Sequence, residues 1–201
     1  MNEVENKEGL FSQIFITRTH GFIDISKKQS FWQELANEYC GTLTVKQAIS
    51  KDLECLSMQI PYRQYFVEFT ESDTHPLKIS CKLEPLQPFE FAISYEDTLE
   101  KLLKLFGQQD IQVGDEEFDR RYLVQGKDAG VVAELLSSSR MKTILLSNNV
   151  FSYSCTYDKK ENMLYLKSLV SRTVNSKAEL AELFNLFCMT INKMEVLSLV
   201  K

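Results

Sequence analysis

ECLSMQIPYRQYFVEFTESDTHPLKISCKL, residues Glu54 to Leu83, settles whether this chain is built on strands or on helices. Three β-branched and aromatic runs, ECLSMQI, YRQYFVEFT and LKISCKL, are separated by Pro61-Tyr62 and by Ser72-Asp73-Thr74-His75-Pro76. Such punctuation marks strand ends. Within the middle run, Tyr65, Val67 and Phe69 alternate with Gln64, Phe66 and Glu68. A period of two is the period of a strand, so one face is apolar and the other mixed. LTVKQAI precedes the three runs, and FEFAIS follows Pro85 and Pro88. Five short strands between turn signals predict an antiparallel meander.

Helical spacing surrounds this block. QIFIT (Gln13 to Thr17) and GFIDIS (Gly21 to Ser26), split by Thr19-His20-Gly21, suggest a first hairpin. SFWQELANEYCG then reads as a helix capped by Ser30 and stopped by Gly41, with either Phe31, Leu35 and Tyr39 or Trp32, Ala36 and Tyr39 as its apolar face. Ser94 to Phe106 carries Leu99, Leu102, Leu103 and Phe106 at helical spacing before Gly107. Asp128 caps a helix holding Val131, Val132, Leu135 and Leu136, and Ser137 to Ser139 break it before RMKTILLS. NVFSYSCTYD and NMLYLKSLV flank Lys159-Lys160-Glu161 as a second hairpin. Ser176 and Glu179 form a capping box for a last helix on which Leu180, Leu183, Phe184, Phe187, Ile191 and Met194 recur.

The order implies an α+β fold with antiparallel sheets and helices packed on one face. It divides into two similar lobes, 1–107 and 108–201, with a seam near Gly107 to Gly114. No Pro-, Gly- or Ser-rich linker separates them, so they are expected to pack as one compact unit.

Composition narrows the function classes. The 201 residues are 44% apolar, which is enough for a sizeable core, and 25% are charged, with a net charge of -5. That balance argues against a general binder of nucleic acid or acidic membranes. Glu96 to Asp119 holds eight acidic and two basic residues, whereas Arg120 to Lys201 holds twelve basic and seven acidic. The two regions are able to attract each other within the fold. Five cysteines, Cys40, Cys55, Cys81, Cys155 and Cys188, are odd in number and form no CxxC pair. Together with an acidic N-terminus that lacks a signal-peptide pattern, they set the expectation of a reduced, cytoplasmic protein. No apolar run approaches the roughly 20 residues that span a bilayer.

Catalytic signatures are missing. There is no G-x-S-x-G, H-E-x-x-H, G-x-x-x-x-G-K-[ST] or G-x-G-x-x-G, and the seven glycines are scattered. His20 and His75 stand in turns without a neighbouring acid or nucleophile at a diagnostic spacing. Arg140, Lys142, Lys159, Lys160 and Lys167 interleave with Tyr153, Tyr157 and Tyr165, a pattern that a single-strand binder would use on a sheet. Strand aromatics more commonly serve as core or cross-strand partners, so the expectation is against nucleic acid.

The densest charge lies in DIQVGDEEFDRRYLVQGKD, Asp110 to Asp128. Asp115, Glu117 and Asp119 share the spacing of the first ligands of a calcium loop, but Arg120 stands where that loop needs glycine and Gly126 where it needs glutamate. An EF-hand is excluded, and an irregular cation site on these three acids is the minority reading. The fuller reading is a hairpin, IQV against FDRRYLVQ across Gly114 to Glu117. It would pair Asp119 with Arg121 and turn Phe118, Tyr122 and Val124 to one side.

The run LEKLLKLFGQQDIQVGDEEFDRRYLVQGKD followed by VVAELL resembles a pattern of uncharacterised bacterial proteins. In it a Gly-Asp turn leads into Phe-Asp, a basic residue, an aromatic, a short strand and an Asp that opens a helix; here these are Gly114, Asp115, Phe118, Asp119, Arg120, Tyr122 and Asp128. The resemblance spans residues 30 to 195 and implies an intact α+β domain, with no activity attached. The functional expectation is therefore a non-enzymatic, cytoplasmic binding or protein-interaction module with no cofactor and no membrane span. The alternative is a metal-assisted hydrolase using the acids near 115–119. Self-association through an exposed edge strand such as YRQYFVEFT is the remaining expectation for partners.

Overall fold

The computed structural model describes residues 25–47, 54–72, 75–95 and 110–201. Helix α1 spans Ile25–Glu38, followed by β1 (Thr42–Gln47), β2 (Glu54–Tyr62), β3 (Tyr65–Ser72), β4 (His75–Leu83) and β5 (Phe91–Tyr95). After them come α2 (Glu116–Arg121), β6 (Tyr122–Gly126), α3 (Ala129–Leu135), α4 (Ser139–Ser147), β7 (Val150–Asp158), β8 (Met163–Val170) and α5 (Lys177–Val196). The fold is α+β. Its strands form one antiparallel sheet in the order β1-β2-β3-β4-β8-β7-β5-β6, so strands from either side of residue 107 alternate within it.

The first four strands of the expected five-strand meander are present as β1 to β4, but FEFAIS leaves it, because β5 pairs with β6 and β7 while β4 pairs with β8; the period-two pattern sets which side is covered. Tyr65, Val67, Phe69 and Glu71 are buried, while Phe66, Glu68 and Thr70 are exposed. Pairing carries that polarity across the sheet. Ile60 faces Val67, Phe69 faces Ile79, Cys81 faces Leu166, Leu166 faces Cys155, and Phe91 faces Cys155. All five described helices meet this apolar side. Trp32 of α1 meets Phe69 edge-on at 6.3 Å, and Phe118 of α2 lies 4.9 Å from Tyr122. Val132 of α3 packs over Gly126, the Leu145 carbonyl of α4 accepts from Tyr122 Oη at 2.8 Å, and Phe187 of α5 meets Tyr153 at 5.6 Å. Each fully buried large side chain contributes about 1.5–3 kcal/mol, so this layer holds the molecule together.

The helix ends refine the reading. Ser176 Oγ accepts from the Glu179 N–H at 3.3 Å, Glu179 accepts from the Asn175 N–H at 3.0 Å, and the six apolar residues of α5 are buried as expected. Asp128 and Ser138 cap α3 and α4. Ser30 does not begin its helix: α1 already runs from Ile25, and the serine hydroxyl bonds Glu34 one turn on. At the other end Cys40, with φ +54°, takes the left-handed position, and the Gly41 N–H closes onto the Ala36 carbonyl at 2.7 Å. Glycine is needed at 41 for another reason. A Cβ there would lie 2.6 Å from the Gln59 carbonyl oxygen of β2.

Three expectations meet different structure. Ser94 belongs to β5 and does not open a helix; the rest of that segment, 96–106, lies outside the described residues, as does the first expected hairpin as far as residue 24. YRQYFVEFT is not an edge, because β3 is bonded on both sides, to β2 and β4. Among the described residues the edges are β1 and β6. The hairpin of IQV with FDRRYLVQ is replaced by helix α2 leading into β6, which pairs with β5.

Candidate functional site

Two surfaces compete for the role, and the first is the acidic corner before β6. Gly114 turns the chain at φ +74°, and Asp115 then acts as the N-cap of α2, its carboxylate accepting from the Phe118 N–H at 3.2 Å. The hydrogen bond from Phe118 holds the Asp115 carboxyl below its ordinary range, with Lys142 Nζ at 3.3 Å adding to the effect. Asp119 reaches back to accept from the N–H groups of Val113 (2.9 Å), Gly114 (3.0 Å) and Asp115 (3.2 Å). Asp110 accepts from the Val124 N–H at 3.2 Å and from Gln112 Nε2 at 2.6 Å. These carboxylates close the loop.

Of the three acids expected as cation ligands, Asp115 and Asp119 share this loop, while Glu117 lies on the exposed side of α2. A shallow depression of about 600 Å³ is lined by Gln112, Gly114, Asp115, Glu116, Asp119 and Arg120. No group of three His, Cys, Asp or Glu side chains among the described residues is placed to hold a metal ion. Arg121 does not pair with Asp119. It bonds Asn149 Oδ1 and Tyr95 Oη and lies 5.4 Å from the centre of the Tyr95 ring. Phe118, Tyr122 and Val124 are buried together, as the sequence suggested, although Phe118 gets there from a helix.

Three of the five thiols are buried and muted. Burial pushes the Cys81 and Cys188 thiols up to about 12 and raises that of Cys155, so none is a ready thiolate at neutral pH. His75 opens β4 on the exposed side of a turn, its Nδ1 3.2 Å from Ser72 Oγ; His20 lies outside the described residues. That Ser–His contact was missed in the sequence, where the three-residue spacing across a hairpin was its signal.

The second surface is the side of the sheet that the described helices do not meet. Register places Gln59, Glu68, Ser80, Lys167 and Ser154 in one row across β2, β3, β4, β8 and β7. A neighbouring row runs Ser57, Thr70, Lys78, Leu169 and Ser152. Gln59 Nε2 donates to Glu68 Oε1 at 2.7 Å, and Lys82 Nζ pairs with Glu161 at 2.6 Å. Lys82 and Lys167 both approach the Tyr165 ring, at 5.5 and 5.3 Å. Phe66, beside Pro61 on this side, is 56% exposed. The tyrosines that suggested a stacking platform are divided between the two sides. Tyr153 is buried under α5, where its hydroxyl donates to Thr190 Oγ1 at 2.6 Å, Tyr157 shares that side, and Tyr165 faces away.

With this geometry in hand, one solved structure is informative. The chain is similar to the mycobacterial trehalose monomycolate transport factor A, TtfA, in its crystal structure. The TM-score is 0.51 at 12% sequence identity, over 86% of this chain and 97% of TtfA. At that identity TtfA shares the fold alone. No protein-family model and no curated protein matches the chain. No described helix is long and apolar enough to cross a membrane.

Proposed function

We propose that this chain is a non-enzymatic, cytoplasmic protein-interaction module that receives a protein partner on the side of its sheet that the described helices do not meet. The observation that carries the reading is Phe66, an aromatic ring 56% exposed as the second residue of β3, opposite Pro61 and with Gln59 and Glu68 as the next pair on that side. An exposed aromatic inside a polar rim matches the anatomy of a binding surface, in which one buried anchor supplies most of the energy. The buried thiols of Cys81, Cys155 and Cys188 and the loop-closing carboxylates support a binding role over a catalytic one. TtfA is a trehalose monomycolate transport factor, and it adds only the shared architecture.

The test is Phe66→Asp. Tagged wild-type protein in the cells that make it elutes within a larger assembly, whereas the variant elutes at the size of the free chain with unchanged circular dichroism. Equal elution of the two overturns the reading. Light scattering of the purified protein over a range of concentrations then tells a second copy from a different partner.

A second reading, a metal-assisted hydrolase at Asp115, Glu117 and Asp119, is favoured by the depression beside α2. Calorimetric titration with calcium, magnesium and manganese separates the two. Saturable heat that disappears in alanine variants of the three acids, with folding intact, supports the hydrolase.

A further inference from the structure

We draw no further inference here: the strongest candidate, the lysine and hydroxyl cluster around Tyr165 on the side of the sheet that the described helices do not meet, belongs to the surface already described, its cations are already engaged, and nothing in the structure shows what covers it.

Discussion

The acidic corner at Asp110–Arg121 and the side of the sheet that the described helices do not meet are opposites. The corner concentrates charge, yet its aspartates accept from backbone N–H groups of the loop and of β6, Arg121 reaches Tyr95 and Asn149, and Lys142 of α4 reaches Asp115. The sheet side is chemically plain, but it carries the exposed Phe66. Density of functional groups therefore marks where this chain needs structural punctuation. A turn and a short helix leave orphan N–H groups that only nearby acceptors satisfy. A strand satisfies its backbone through its neighbours, so its outward side chains are available for something else.

Substitutions sharpen that contrast. Phe118→Ala removes a ring buried between α2 and Tyr122 and is expected to cost about 3–5 kcal/mol in urea unfolding. Asp119→Ala leaves three N–H groups without their acceptor and is expected to cost about 2 kcal/mol, with Asp119→Asn recovering part of it. If Asp119→Ala leaves stability unchanged, the corner is not structural and its acids are open to another role.

Acid titration gives a smaller effect of defined sign. The Asp115 carboxyl sits below its ordinary value of 3.8 in the folded chain, so the stability it lends is present above that value and is lost as pH falls through the lower, folded one. Asp115→Asn should flatten the loss of stability below about pH 4 relative to wild type. An unchanged acid profile would remove the Phe118 and Lys142 contacts from the account. The smallest stability effect belongs to the sheet side, where Thr70→Ala and Phe66→Ala are expected to stay within about 0.5 kcal/mol of wild type. A large loss at either would show that this side is packed as part of the core.

Much of the fold was legible because local rules agreed with it. The alternation through Tyr65, Val67 and Phe69, the Ser176 capping box and the hairpin around Lys159 each describe a short stretch whose physics is complete in itself. The order of the strands was not legible. Pairing of β4 with β8 joins residues from Leu83 with Leu164 to Lys78 with Leu169, far apart in the chain, and no local pattern encodes that register. For the same reason β3 passed for an edge strand when it lies inside the sheet.

Helix α2 was legible in principle: Asp115 at the cap, acids in the first turn and arginines in the last suit a helix dipole. The glycine at 114 invited a hairpin instead, and the alternation of Phe118, Tyr122 and Val124 gave it false support. The sheet-side surface had two signs, Phe66 on the mixed face of its strand and the interleaving of Lys167 with Tyr165.

Photo-crosslinking tests the central claim most directly. A benzophenone side chain placed at Thr70 and, separately, at Arg120 reports which surface meets a partner in the cells that make this protein. The account predicts a discrete adduct from Thr70 that is lost with Phe66→Asp, and none from Arg120. An adduct from Arg120 alone would contradict it.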